Sequence, residues 1–503
     1  MRARFVWGMF GLLVLGCVIG FSSSWDGSVR SSYSEAELEE RRELALSWLA
    51  RQLDPIVYPV QIEFIDRYDV DYSGRIEGRV ALESLFASKE DSAEVNLADY
   101  EVWIYSLASK QALEPVLPEL QEKLSIRQDG TFESGWSAKG KKIARVVEKK
   151  SGLMVGTTEV TLYPLIRSYF VPTDDPMSRT GIARRSWLYD NALAVISFSL
   201  AADQERAESI LKSLEKLQNA DGSFGFAFDV YDGVLDETKR SGSIAWMGDA
   251  VVKYEAAFGD SSYRHMAEAI AAFLYTQQNP ETGSIKGGPD TDWYSTEHNI
   301  DAYFFFRDFA SLTGENQYAE IAKDIKQALL QHHWNEDEER FNQGIDDLAE
   351  ALDANSWGAI FLQAIGREDL VELAINYIDT FKVENATMLS SSNLSTYNRA
   401  YSTNHPLMGY KPYGKGYDQP PSIVWTEGTW GVINLLMREN QPVDDLLHSM
   451  FAMQEADPFG GIVYSNERIA ETPYQFYVWP AVASTAWQYI TLENPRAIWD
   501  DKK

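Results

Sequence analysis

Carboxylates recur at the starts of segments that are otherwise apolar. Asp190 lies in Trp187-Leu188-Tyr189-Asp190-Asn191 and Asp249 in Trp246-Met247-Gly248-Asp249. Glu297 and Asp301 bracket Glu297-His298-Asn299-Ile300-Asp301, Asp353 opens Asp353-Ala354-Asn355-Ser356-Trp357, and Glu427 sits in Trp425-Thr426-Glu427-Gly428-Thr429-Trp430. The sixth such start, Tyr477-Val478-Trp479-Pro480, has none. A charge among apolar residues is costly unless it is paired or faces a solvated cleft, so the recurrence points to a shared site.

General acid/base catalysis is the chemistry such a set can perform. Cleavage of a glycosidic bond needs one carboxyl protonated, to assist the leaving oxygen, and a second ionised, to activate water or attack carbon. A helix start favours the ionised form, whereas crowding of acids in an apolar cleft raises one of them into the range of the acid. Glu297 is the candidate acid, with Asp353 or Glu427 as its partner. Glu297 and Asp301 stand four residues apart and share a helix face, with His298 and Asn299 beside them. Asp190, Asp301 and His298 are candidates for binding sugar hydroxyls. For Asp190 and Asp353 helix capping is the competing explanation. The separation of the two carboxyls, which decides between retaining and inverting chemistry, belongs to the fold.

Tryptophan accompanies these acids. Trp187, Trp246, Trp293, Trp357, Trp425 and Trp430 are candidate substrate contacts, because indole faces cover the C–H faces of sugar rings; core packing is their alternative role. Trp479 lies at the sixth start. The stretches 225–233 and 287–293 read as rim loops that add Asp229, Asp232, Asp290 and Asp292. A histidine or tyrosine proton shuttle, as an epimerase or lyase would need, could draw on His298, His405 and Tyr410.

Metal and redox chemistry have little support. Asp69, Asp71 and Ser73 open a run that fits the first places of a calcium loop, but place twelve is Val80 and Glu83 comes three residues late, so a plain turn is preferred. His332-His333 reads as a positive complement to a helix C-terminus. No cofactor is expected. With 45 Lys and Arg against 75 Asp and Glu, the formal charge is −30. That balance excludes a phosphate-tracking nucleic-acid binder and suggests a neutral or cationic ligand, an uncharged one, or acidity that serves solubility.

The N-terminus carries Arg2 and Arg4, an apolar run from Phe5 to Phe21 and then Ser22-Ser23-Ser24, the pattern of an export signal or short anchor. Val14-Leu15-Gly16-Cys17 resembles the bacterial lipoprotein box, which implies lipidation of Cys17. An uncleaved anchor and ordinary cleavage are the alternatives, since Val18 and Ile19 prolong the apolar run. In each case the globular part is expected outside the cytoplasm, in the bacterial cell envelope. Cys17 is the sole cysteine, so the domain has no disulfide and no cysteine ligand or nucleophile.

The elements that must position the acids form a repeat. Nearly all-apolar helical segments occur at 186–201, 242–258, 296–312, 352–365, 422–437 and 476–490. Amphipathic ones follow at 204–217, 262–277, 317–332, 368–381 and 443–454, and the N-terminal helix at 35–52 supplies a sixth. Helices apolar on all sides are inner and striped ones outer, so six such pairs predict an (α/α)6 toroid over 166–495 with short rim hairpins. Residues 1–21 are the signal or anchor, 22–34 a polar spacer and 35–165 a small α+β elaboration holding the closing helix and a further helix over 100–124. Gln218-Asn219-Ala220-Asp221-Gly222-Ser223-Phe224-Gly225 is echoed by Gln278-Asn279-Pro280-Glu281-Thr282-Gly283-Ser284-Ile285 and more loosely by 454–463, each a turn after an outer helix. In this architecture and loop style the chain resembles the six-hairpin glycosidase superfamily. The resemblance implies a glycoside hydrolase acting on a poly- or oligosaccharide. A sugar epimerase or polysaccharide lyase on the same ring, or a non-catalytic glycan-binding envelope lipoprotein, are the rivals.

Overall fold

The computed structural model describes residues 31–53, 58–65, 73–80, 96–106, 119–135, 137–138, 142–149, 154–157, 163–171, 175, 177, 181–230, 233–388, 402–469 and 474–500. Its helices are α1 (Glu35–Leu53), α2 (Leu188–Leu200), α3 (Gln204–Leu217), α4 (Ser241–Phe258), α5 (Arg264–Thr276), α6 (Thr296–Thr313), α7 (Asn316–Ala328), α8 (Leu352–Ala364), α9 (Glu368–Ile378), α10 (Thr426–Arg438), α11 (Asp444–Glu455) and α12 (Val482–Glu493). The even-numbered helices touch one another in turn, and α12 returns to α2 to close a ring. Outside them α3 packs on α2, α5 on α4, α7 on α6, α9 on α8, α11 on α10, and α1 on α12. This is an (α/α)6 toroid in which the N-terminal helix is the sixth outer element. Burial follows the two sequence patterns: all thirteen residues of α10 are buried, whereas α3 hides only the stripe Ala207, Ile210, Leu211, Ser213 and Leu214.

The repeated turns tie neighbouring outer helices together. Gln218, Gln278 and Gln454 donate side-chain amides to the carbonyls of Gly222, Gly283 and Gly460 at 3.1, 3.0 and 2.9 Å. All three glycines have left-handed backbone (φ +86°, +81° and +87°), and a Cβ on them would meet Ala269, Asp324 and Leu44 at 3.0 Å or less. Those residues lie on α5, α7 and α1, each the next outer helix around the ring. Glycine is required here both by the dihedral and by the close approach.

Five of the six inner helices share one internal clamp. The residue four places after the N-cap (Asn191, Asn299, Asn355, Thr429 and Thr485) donates to the N-cap carbonyl at 2.7–2.9 Å. Its oxygen accepts the backbone N–H of an extended segment, from Ile166, Ile285, Phe341, Tyr410 and Ile462 respectively, at 2.7–3.1 Å. Buried polar side chains thus satisfy backbone groups at both ends and fix the height of each helix start. In α4 the equivalent place is Ile244.

The far end of the ring is closed by the C-terminal residues. Trp499 stacks on Phe304 (4.7 Å, 9°) and lies 4.9 Å from Trp246 and 5.4 Å from Trp357. Arg438 holds this tail against the ring through the carbonyls of Pro495, Ile498 and Trp499.

The expected helix over 100–124 is not formed. Tyr100–Ser106 and Glu119–Ser125 are antiparallel strands of an eight-stranded sheet with order, in residue ranges, 119–125, 100–106, 142–148, 154–157, 58–65, 73–80 and 131–133, with 137–138 beside 73–80. The reason is period two: Val102 and Ile104 enter one apolar cluster, Trp103 and Tyr105 another on the opposite face. Asp69 and Asp71 of the calcium-loop run, and residues 1–30 with Cys17 among them, lie outside the described residues. Ser73 begins strand Ser73–Val80. Among the described residues no helix is long and apolar enough to cross a membrane, and no cluster of three metal-ligating side chains occurs.

Candidate active site

Position along the helix decides which carboxyls meet. Counting from each N-cap, the second residue of the inner helices is Tyr189 in α2, Gly242 in α4, Glu297 in α6, Asp353 in α8, Glu427 in α10 and Ala483 in α12. Equal places on parallel ring helices point the same way, so these six positions face the mouth of the ring, five of them with a side chain. Three consecutive helices supply an acid there. Asp190 follows Tyr189, and Asp301 lies one turn below Glu297.

The acids are close enough to perturb one another, and each has its own surroundings. Burial, then the charges of Asp353 and Glu427, push Glu297 well above the carboxylate range. Burial chiefly, with Asp190 next, lifts Glu427 to about 8, opposed by the Tyr189 hydroxyl. Asp190 rises to about 7 through burial. Asp353 reaches only about 6, because it accepts backbone N–H bonds at the α8 start, from Ala354 at 2.8 Å among them. Asp301 is 3% exposed and is pushed well up by burial and by Glu297 and Asp353, with the Trp246 indole beside it. Below it Asp249 belongs to a buried charge cluster with Lys253, Arg307 and Asp308. On these adjacent helices Glu297 is therefore held more strongly toward its protonated form than Asp353.

His298 follows Glu297 and is driven down to about 4 by burial and by Arg240, so it is a neutral imidazole. His333 is not the exposed charge complement expected of it. It is buried, neutral and bonded to Ser284 (3.1 Å) and to Thr296 (2.9 Å), the first residue of α6, where it helps fix the helix that carries Glu297. Gly242 lets α4 approach this corner: a Cβ there would lie 2.5 Å from His298 and 2.8 Å from Asp301.

The aromatic lining is mostly tyrosine. Tyr169, Tyr189, Tyr413 and Tyr464 feel the charge of Glu427, and Tyr413 and Tyr417, stacked at 4.2 Å, feel Asp353. All five are partly exposed. Burial keeps their hydroxyls protonated, as donors. The expected tryptophan platform divides. Trp246 and Trp357 are packing residues with Trp487 and Trp499, and Trp430 is wholly buried near Phe451, so these three offer no open face. Trp425 lies against Glu427 and Tyr464. Trp187 and Trp293 stand at the rim, Trp293 being 43% exposed and 5.3 Å from the His298 ring. Trp479 is buried, stacks on Tyr477 and donates to Asp175; Pro480 precedes the true start of α12.

Of the rim-loop acids, Asp229 is buried and paired with Arg184, Asp290 and Asp292 are exposed, and Asp232 lies outside the described residues. His405 and Tyr410 belong to the strand Thr403–Tyr410 against α11, where His405 meets His448 and Tyr410 lines an outer groove of about 850 Å³. Neither joins the cleft. Tyr169, Tyr413, Tyr417 and Tyr464 were missed because they lie outside the helices at no fixed spacing, whereas Tyr189 is the second residue of α2; the Asn after Asp190 and His298 was the signal available for the clamp.

No protein-family model and no curated protein matches the chain. Among solved structures it is similar to a D-mannose isomerase (12% identity, 66% of this chain and 91% of that one, TM-score 0.46). A family 76 glycoside hydrolase from a bovine Bacteroides thetaiotaomicron strain is another (9%, 87% and 99%, 0.45). A cellobiose 2-epimerase from Bacillus thermoamylovorans is a third (9%, 65% and 92%, 0.43). All three are similar in architecture at low identity.

Proposed function

We propose that the chain is a glycoside hydrolase acting on a poly- or oligosaccharide. The observation that carries this is the pair Glu297 and Asp353, buried at one register on adjacent inner helices, with Asp353 alone held by backbone N–H groups at its helix start. Glu297 donates its proton to the leaving glycosidic oxygen. Asp353 either takes a proton from the attacking water or attacks the anomeric carbon itself. Glu427, protonated and beside the Tyr189 hydroxyl, binds sugar hydroxyls together with Asp190 and the tyrosines. The test is a glycan panel assayed for new reducing ends with the wild type, Glu297→Gln and Asp353→Asn. New reducing ends from the wild type, lost in both variants, support the reading. An unsaturated, ultraviolet-absorbing end, or a product of unchanged chain length, overturns it in favour of a lyase or an epimerase.

We also propose that the domain is tethered in the cell envelope through residues 1–21, by lipid on Cys17. Ser32 donates its backbone N–H (2.6 Å) and hydroxyl (2.7 Å) to Asp444 at the start of α11. That rim is the one at which α10 ends, opposite the starts of the inner helices. Detergent-phase partitioning of the wild type, abolished by Cys17→Ser, is the expected result; equal partitioning of both overturns the lipid anchor.

A further inference from the structure

Cations at the cleft rim are mostly committed. Arg184 pairs with Asp229 at 2.9 Å, Lys239 with Asp221 at 2.8 Å and Arg468 with Asp175 at 3.4 Å. Arg185 and Arg240 differ: among the described residues neither has a carboxylate within ion-pair distance, although Asp236 feels both charges. Arg185 precedes α2 with its guanidinium carbon 4.6 Å from the Trp187 ring centre, and its buried Nε has no hydrogen-bond partner. Arg240, at the N-cap of α4, lies 5.9 Å from the Phe226 ring and 5.8 Å from that of Trp293, and one of its Nη1 hydrogens goes to the Lys239 carbonyl at 3.3 Å, leaving its other N–H groups to a ligand. Trp187 and Phe226 are 4.8 Å apart, and Trp293 borders His298, the neighbour of Glu297. Arginines and aromatic rings therefore form one arc leading from the rim to the proposed acid.

A guanidinium resting on an aromatic face keeps its N–H fork free for a planar anion, and partial burial strengthens the attraction. In a chain of formal charge −30, two such guanidinium groups beside an acidic cleft, with no carboxylate at ion-pair distance among the described residues, call for a negative group supplied from outside. We propose that Arg185 and Arg240 bind an anionic substituent (carboxylate, sulfate or phosphate) on a glycan whose sugar rings lie against Trp187 and Trp293. This rests on the glycan reading above and adds the substrate class to it.

The experiment is calorimetric titration of Glu297→Gln, alone and combined with Arg185→Gln or Arg240→Gln, using matched oligosaccharides. These are a uronic-acid-containing oligosaccharide and its carboxyl-reduced form, and sulfated and phosphorylated oligosaccharides with their unsubstituted parents. Charge-assisted hydrogen bonds of this kind correspond to roughly tenfold to hundredfold in affinity. One acidic member should bind at least about tenfold tighter than its neutral match, and which one identifies the substituent. Each arginine variant should lose that preference while keeping its affinity for the neutral form. Equal binding of every matched pair, or arginine variants that weaken neutral and acidic ligands alike, overturns the subsite and leaves the glycan reading standing. Absence of binding to any glycan overturns both.

Discussion

Glu297 on α6 and Asp353 on α8 occupy the same second position of neighbouring inner helices, and the charge of Asp353 makes Glu297 harder to ionise. Asp353 is held nearer its ordinary range by the backbone N–H of Ala354. The asymmetry arises from local backbone geometry and gives two groups of the same chemistry different hold on their protons.

A bell-shaped pH profile of kcat follows from that asymmetry. Activity should rise as Asp353 ionises near pH 6 and fall only when Glu297 loses its proton, well above the ordinary carboxylate range. Glu297→Gln should lower kcat about 100- to 10,000-fold with KM little changed. A profile with its optimum below pH 5 would show that the two groups are not the acid and base.

Stability should run against this site. Glu427 binds its proton more tightly folded (about 8) than unfolded (about 4.5), so between those values the native chain holds more protons and loses stability as pH rises. Glu427→Gln, which cannot ionise, should raise Tm by a few degrees at pH 8 and leave it unchanged at pH 4. Differential scanning calorimetry at the two pH values reads the difference, and an equal Tm at pH 8 would contradict the burial of an ionisable acid there.

Gly242→Ala tests the corner formed by α4 and α6. The added methyl would meet His298 and Asp301 and displace the first turn that carries Glu297. A displacement near 1 Å costs about 100-fold in kcat. Gly259→Ala is the control: it lies at the other end of α4 with open space around its Cα, so any change it causes should appear in stability, through its left-handed backbone, with kcat preserved.

Asn355→Ala should cost about 2–3 kcal/mol in urea unfolding, because it strands the Phe341 N–H and removes the bond to the Ala351 carbonyl. Activity should fall as well, since the same clamp sets the height of Asp353. A loss of stability with kcat intact would separate the clamp from the site.

Much of the ring was legible in the sequence. Helices apolar on every side alternated with striped ones, and a Gln-to-Gly turn recurred after outer helices, so inner and outer elements could be told apart before any contact was known. The strand at Tyr100–Ser106 was misread as a helix because a segment apolar on both faces conceals its period of two, and the reading was carried on through Glu119–Ser125. Tryptophans near the helix starts looked alike in sequence. Trp293 is at the rim and Trp246 in the core because the C-terminal Trp499 enters the ring from the far side, a contact between residues distant in the chain.

The sequence by itself determined the alternating helices, the turns between them and the recurrence of carboxyls at inner-helix starts, because these depend on neighbours within a turn or two. Tertiary structure alone decided which acids share a cleft, which of them holds its proton more tightly, and that Arg185 and Arg240 have no carboxylate at ion-pair distance among the described residues of a strongly acidic chain. Those outcomes depend on distance and burial between residues that only ring closure brings together.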